Sequence, residues 1–244
     1  LCTEILLHTK ASKYKEDGSR KVKEYGETAV CNLGSVNLKQ HLTSDNLDYD
    51  KLKNTVEIAI RMLDNVIDIN FYPTEEAKNS NTKHRPIGLG SMGWHDMFYH
   101  LNMNMDSDEA IKLSGKIYEY ISYHAINTST KLAKERGVYS TYKGSLWDQG
   151  VFPIDTYKKL CEYRGKDMDA TESLDWASVR NHVKRHGMRN SNTMAIAPTA
   201  TISSIVGCAQ SIEPYYNNIF VYSTLSGDFT MINDAFIKDM KDIG

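Results

Sequence analysis

TAVCNLGSVNL, residues 28–38, is the stretch that decides the fold. It is uncharged and rich in small and β-branched side chains, which predicts a buried strand running into a loop. A buried strand needs cover, and the chain downstream supplies it. Residues 48–70 place Leu52, Val56, Ala59, Leu63, Val66 and Ile67 at helical spacing, with Asp48 or Asp50 at the cap and Pro73 as the stop. Residues 85–99, RPIGLGSMGWHDMFY, predict a short segment, a glycine turn and a helix start. Residues 107–136 predict one long helix with Ile111, Ser114, Ile117, Ile121, Ala125, Thr128 and Leu132 on one face and Gly137 at its end. A loop follows over 139–152. Pro153 opens a short helix, and residues 173–186 form another, closed by Gly187. Residues 192–197 and 219–222 predict strands. The order gives an α/β fold with helices in excess and no domain boundary inside residues 1–244.

Totals exclude several classes. A net charge of −2 and a pI near 6.5 give no electrostatic footprint for nucleic acid. Four cysteines at long spacings, with no CxxC pair, argue against a disulfide-stapled secreted fold and for a reducing, cytoplasmic compartment. No apolar run is long enough to span a bilayer. Residues 1–7 are short and interrupted by Glu4, so they are no signal-peptide core. An opening without Met indicates a piece of a longer chain.

Several motifs have an ordinary structural reading beside a chemical one. GLGSMG, residues 88–93, matches G-x-G-x-x-G, but no second strand ending in an acid follows, so close packing and a tight turn are favoured over dinucleotide binding. His182 and His186 share a helix face without the glutamate of a zinc-protease pattern, and Lys184 and Arg185 between them indicate a solvated basic helix end. Cys161 reads as an incidental, partly buried thiol, and Cys208 as a structural thiol with lining a site as the alternative. Cys2 and Glu4 would share one face if residues 1–7 are extended, aiming a thiol and a carboxylate at one substrate, although a chance pair is the simpler alternative on spacing alone. Residues 198–204, PTATISS, put hydroxyls and unpartnered backbone amides where a helix begins. That corner suits either a phosphate or a plain Ser/Thr cap.

Taken together, LCTEI, AVCNLGSVNL, HRPIGLGSMGWHDMF, GVYSTYKGS, GMRNSNTMAIAPTATISS, SIEPYYNNI and STLSGDFTMIN, in this order, resemble the large (α) subunit of class I ribonucleotide reductase across the whole chain. The resemblance implies part of a ten-stranded α/β barrel, helix-rich and incomplete, with GLGSMG as a barrel glycine turn. It makes Cys2 the radical cysteine that abstracts the ribose 3′ hydrogen, and Glu4 the base that takes the 3′-hydroxyl proton. Cys31 becomes one of two thiols that reduce the radical intermediate and end as a disulfide, its partner lying upstream. Leu1 is placed against the substrate, and Pro198, Thr199, Ala200, Thr201, Ile202 and Ser203 form the loop that holds its phosphates. The resemblance further implies ribonucleoside diphosphate substrates and a homodimeric parent chain. It implies no cofactor or metal bound in this chain, a radical supplied by a metal-containing small (β) subunit, and a thioredoxin or glutaredoxin as dithiol reductant. Nucleotide effector sites, the N-terminal regulatory region and the C-terminal tail fall outside these residues, so the chain alone is expected to be inactive. Two alternatives stay open: an adenosylcobalamin-dependent reductase on the same barrel, and a nucleotide-binding piece without catalysis.

Overall fold

The computed structural model describes residues 3–19, 21–166 and 172–244. A short exposed hairpin comes first, β1 (Lys13–Tyr14) paired antiparallel with β2 (Val22–Glu24). Next is β3 (Asn32–Asn37), in the stretch from which the fold was read, and a 3-10 turn over Leu38–His41. Helix α1 (Tyr49–Ile69) follows, and the Asp48 carboxylate caps it by accepting from Lys51 N at 2.9 Å. It buries Leu52, Val56 and Ile67 of the predicted stripe and half-buries Ala59 and Leu63, while Val66 is exposed and Ile60 is buried in its place. Helix α2 (Glu75–His84) leads to β4 (Ile87–Met92), which pairs parallel with β3 from Asn32↔Ile87 to Asn37↔Met92. The result is a β-α-β unit with α1 packed on both strands.

Every residue of β4 is buried. Here the structure corrects the glycine-turn reading. Gly88 and Gly90 are strand residues, and only Gly93, at φ 78°, makes the turn into α3 (Trp94–His100). The two strand glycines serve close approach. A Cβ on Gly90 would lie 2.3 Å from the Ala195 carbonyl oxygen, and one on Gly88 would lie 2.7 Å from the Ala195 Cβ. The segment at 192–195 therefore lies directly against β4. Ile87 N donates to Asn192 O, Leu89 N to Thr193 O and Ala195 N to Leu89 O. The strand expected over 192–197 is thus reduced to a single parallel bridge, Leu89↔Met194.

The long helix α4 (Asp108–Arg136) is capped by Ser107 and ends at Gly137 (φ 86°). It packs along α1, where Arg61 and Glu135 form a two-bonded ion pair. Helix α5 (Pro153–Arg164) starts at its proline. Helix α6 (Trp176–His186) starts three residues later than expected, because the backbone amides of Ser173 and Leu174 donate to the Glu119 carboxylate instead. Arg180 clamps α6 to α5 through both oxygens of Asp155. Helix α7 (Ala200–Val206), the hairpin β5 (Ile219–Thr224) with β6 (Gly227–Ile232), and α8 (Asp234–Ile243) complete the chain.

Beneath these elements lies a buried charge cluster. Asp64, fully buried on α1, accepts from Arg85 Nε at 3.0 Å, Asn190 Nδ2 at 3.1 Å, Arg136 at 3.0 Å and Arg189 at 3.4 Å. Arg85 reaches Asp68 with two further bonds. Arg85 is left-handed (φ 49°) immediately before Pro86, a strained conformation that these bonds hold in place. The cluster fastens the entrance to β4 to α1, α4 and the segment that crosses β4. Among the described residues the strands form two-stranded pairs and no closed sheet, so the architecture is a helix-rich, partial α/β barrel. No described helix is long and apolar enough to cross a membrane.

Candidate active site

Leu1 and Cys2 lie outside the described residues. Residues 3–9 form no strand, and Glu4 sits in a bend. One oxygen of its carboxylate, Oε2, is buried and has no hydrogen-bond partner among the described residues. A buried carboxylate oxygen left unpaired costs stability, so this atom is suited to a partner outside the chain.

Cys31 directly precedes β3 and is exposed. Strand alternation puts Leu33 and Ser35 on its face, while Gly34 looks the other way, toward Leu63 and Leu89. The neighbouring strand β4 presents Gly88 opposite Leu33 and Gly90 opposite Ser35, and Leu33 and Ala195 fill the space over Gly88. The other two described cysteines are inside. Burial, and then the nearby Asp96 carboxylate, push the Cys208 thiol up to about 11, so it is a poor nucleophile. Cys161 is buried as well. His182 and His186 sit at the end of α6 with Lys184 and Arg185, as the solvated-end reading expects.

The loop at 198–203 takes a form that the sequence leaves open. Thr199 is buried in a left-handed conformation (φ 56°), and its hydroxyl accepts from Ser211 N at 2.8 Å. It therefore gives no side-chain cap to α7, which corrects the Ser/Thr-cap alternative. Ser203 is buried, whereas Ala200, Thr201 and Ile202 face outward and Pro198 is half-buried. The downstream segment is anchored on α3. Asp96 accepts from Ala209 N at 2.6 Å and from the Tyr215 hydroxyl at 2.8 Å, with Lys39 Nζ 3.2 Å away. Burial and the Asp96 charge hold the Tyr215 phenol protonated, its pKa far above the usual tyrosine range. Tyr215 N donates in turn to His95 Nδ1. Sequence reasoning finds Tyr215 only as part of SIEPYYNNI and does not single out Asp96.

One more polar centre escapes the sequence. Glu27 is buried beside Lys83 and His84. Burial opposes its ionisation, but hydrogen bonds from those two residues and their charge outweigh it and hold its pKa at about 2. Its partners lie 56 and 57 residues away, so no local spacing signals it.

The comparisons with known proteins agree with this architecture. The family model described as the ribonucleotide reductase barrel domain matches residues 1–244. The chain is 54% identical to the ribonucleoside-diphosphate reductase subunit alpha of Chlamydia muridarum over its full length, covering 22% of that protein. It is 38% identical to the ribonucleoside-diphosphate reductase large subunit of Caenorhabditis elegans, again over its full length and 28% of that protein. Against the subunit alpha of Helicobacter pylori it is 43% identical over 85% of the chain and 26% of the relative. The chain thus spans about a quarter of the length of these curated relatives. With the parallel β3–β4 pair, the glycine-lined strand and the whole-length match in agreement, this chain belongs to the ribonucleotide reductase barrel-domain family.

Proposed function

We propose that the polypeptide carrying this sequence is the large subunit of a ribonucleoside-diphosphate reductase and replaces the ribose 2′-hydroxyl by hydrogen. The observation that carries this reading is the Glu4 carboxylate. It stands two residues after Cys2 with a buried oxygen that has no partner among the described residues, in a chain where Cys31 is exposed at the entrance to β3. In this reading a thiyl radical on Cys2 takes the 3′ hydrogen atom, leaving an S–H bond and a carbon radical at C3′. Glu4 Oε2 accepts the 3′-hydroxyl proton, which requires hydrogen-bond reach and a free lone pair. The 2′-hydroxyl then leaves as water. Cys31 and a second thiol supply two electrons and two hydrogens, one to the departing water and one to C2′, and become a disulfide; Glu4 returns its proton to the 3′ oxygen, and Cys2 returns its hydrogen to C3′ and regains the radical. The sum is ribonucleotide plus dithiol giving deoxyribonucleotide, disulfide and water.

Residues 198–203 hold the substrate phosphates, with the exposed start of α7 facing the ligand and Leu1 against the ribose. A metal-containing small subunit supplies the radical, and a thioredoxin or glutaredoxin reduces the disulfide in a reducing, cytoplasmic setting. The parent chain is a homodimer, and residues 1–244 are one part of its catalytic barrel. The test is reduction of CDP by the full polypeptide, with dithiol, in the presence and absence of the small subunit. The reading predicts small-subunit-dependent dCDP formation that Cys2→Ser and Cys31→Ser both abolish. Activity that required adenosylcobalamin instead, or nucleotide binding without product, would contradict it.

A further inference from the structure

Three side chains outside the proposed radical chemistry bring one donor atom each to a common point. They are His8, the Glu27 carboxylate and His84, and their donor atoms all lie within 4.8 Å of one another. His84 Nε2 is 2.5 Å from Glu27 Oε2, His8 Nε2 is 3.6 Å from the same oxygen, and the two imidazoles meet edge to face. Glu27 and His84 are held from behind. Glu27 is clamped through its backbone to Lys10 at 2.7 and 2.9 Å. His84 ends α2, and its Nδ1 is 2.7 Å from the Thr141 hydroxyl. Lys83 occupies the other carboxylate oxygen, Oε1. A cavity of about 120 Å³, lined in part by His8, Ser80, His84 and Asn192, opens beside the cluster.

We propose that His8, Glu27 and His84 form a site for a divalent transition-metal ion of the zinc type, with water in the fourth position. Two imidazole nitrogens and one carboxylate oxygen are a recognised three-ligand zinc set that leaves one position open. Imidazole ligands select zinc and its neighbours over magnesium or calcium. Bonds of about 2.0–2.2 Å to a tetrahedral ion set neighbouring donors roughly 3.3–3.6 Å apart. The His8–Glu27 pair is already at 3.6 Å. The His84–Glu27 pair is drawn closer by its hydrogen bond, and a bound ion takes the place of that bond with the imidazole in its Nδ1–H tautomer. Thr141 supplies the outer contact that fixes a ligating imidazole, because a proton on Nδ1 directed at its hydroxyl leaves Nε2 free to bind. With Lys83 on Oε1, the carboxylate binds through Oε2 alone. The ammonium also repels the incoming ion, so it lowers affinity rather than abolishing the site. His8 lies four residues after Glu4 and Glu27 four before Cys31, so a bound ion ties together the segments carrying both. The proposal does not depend on the reductase reading.

The test is zinc binding to the full polypeptide after chelator treatment, by calorimetry, with Co²⁺ as the spectroscopic probe. Any ion held elsewhere is common to wild type and variants. The expected result is one equivalent that His8→Ala weakens at least 10-fold, with Co²⁺ bands of a four- or five-coordinate nitrogen–oxygen site. Thr141→Val should weaken it by about 10–100-fold, and Lys83→Met should tighten it. His8 is mostly exposed, so its removal leaves the fold in place. Binding that neither His8→Ala nor Thr141→Val alters, or no stoichiometric binding at all, would overturn the proposal and leave the cluster as an ion-pair brace.

Discussion

Asp64→Asn tests how the barrel wall is held. The substitution keeps the shape and the Oδ1 acceptor but removes the charge and turns Oδ2 into a donor. Two guanidinium donors, from Arg136 and Arg189, then face an amide that cannot accept. Arg136 and Arg189 can turn partly to solvent, with side chains 27% and 14% exposed, but Arg85 at 6% cannot. Arg85 keeps only Asp68 as a carboxylate partner and must still sustain its left-handed backbone. Breaking a buried ion pair from one side costs about 3–5 kcal/mol. At about 1.4 kcal/mol per decade this is a loss of roughly two to three and a half orders of magnitude in local protection. The assay is amide hydrogen exchange in the full polypeptide, followed on peptides covering β4 and residues 189–195. Asp68→Asn is the control. Asp68 is half exposed, so its loss should cost about 1 kcal/mol or less. Protection of β4 within a few-fold of wild type in Asp64→Asn would refute the claim that this cluster fastens the strand.

Other outcomes follow from the same geometry. Gly90→Ala places a methyl 2.3 Å from a backbone carbonyl and should cost about 1–3 kcal/mol, seen as faster exchange over residues 192–197. Glu4→Gln should lower deoxynucleotide formation by about 10²–10⁴-fold while nucleotide binding holds, as loss of a general base requires; a fall of less than 10-fold would remove Glu4 from that role. For pH, the Glu27 carboxylate is depressed in the folded state to about 2 from an ordinary 4.5. Its contribution is therefore full above about 4.5 and is lost as pH falls toward 2, so Glu27→Gln should flatten the acid limb of the stability profile by one proton.

How much of this was legible in the sequence differs element by element. Helix α1 was read correctly because Leu52, Val56, Ala59, Leu63 and Ile67 repeat with the helical period and Asp48 supplies the cap. Helix α2 was invisible to that argument, since Ala77 is its only apolar residue and its buried face also includes Ser80 and Asn81. Its capping signals were there in Thr74, Glu75 and Glu76 at the start and Lys83 and His84 at the end. The expected strand at 192–197 looks extended by composition, but its hydrogen bonds to β4 reach only from Asn192 to Ala195. The glycines of GLGSMG were read as a turn because glycine signals positive φ and close approach alike. Only the tertiary partner, the chain at Ala195, distinguishes the two. Glu4 and Cys31 were legible as members of a motif set. The His8–Glu27–His84 cluster was not, because its members converge only once β4 and α2 are folded against the N-terminal segment.

The central claim is that Cys31 is spent as a reductant in deoxynucleotide formation. The most direct measurement is a single turnover of the full polypeptide with its small subunit and CDP, without external dithiol, quenched with an alkylating agent and read by mass spectrometry. The account predicts that Cys31 passes from alkylatable thiol to disulfide in step with dCDP, one disulfide per product, while Cys161 and Cys208 are unchanged. Product formed with Cys31 still alkylatable would contradict it.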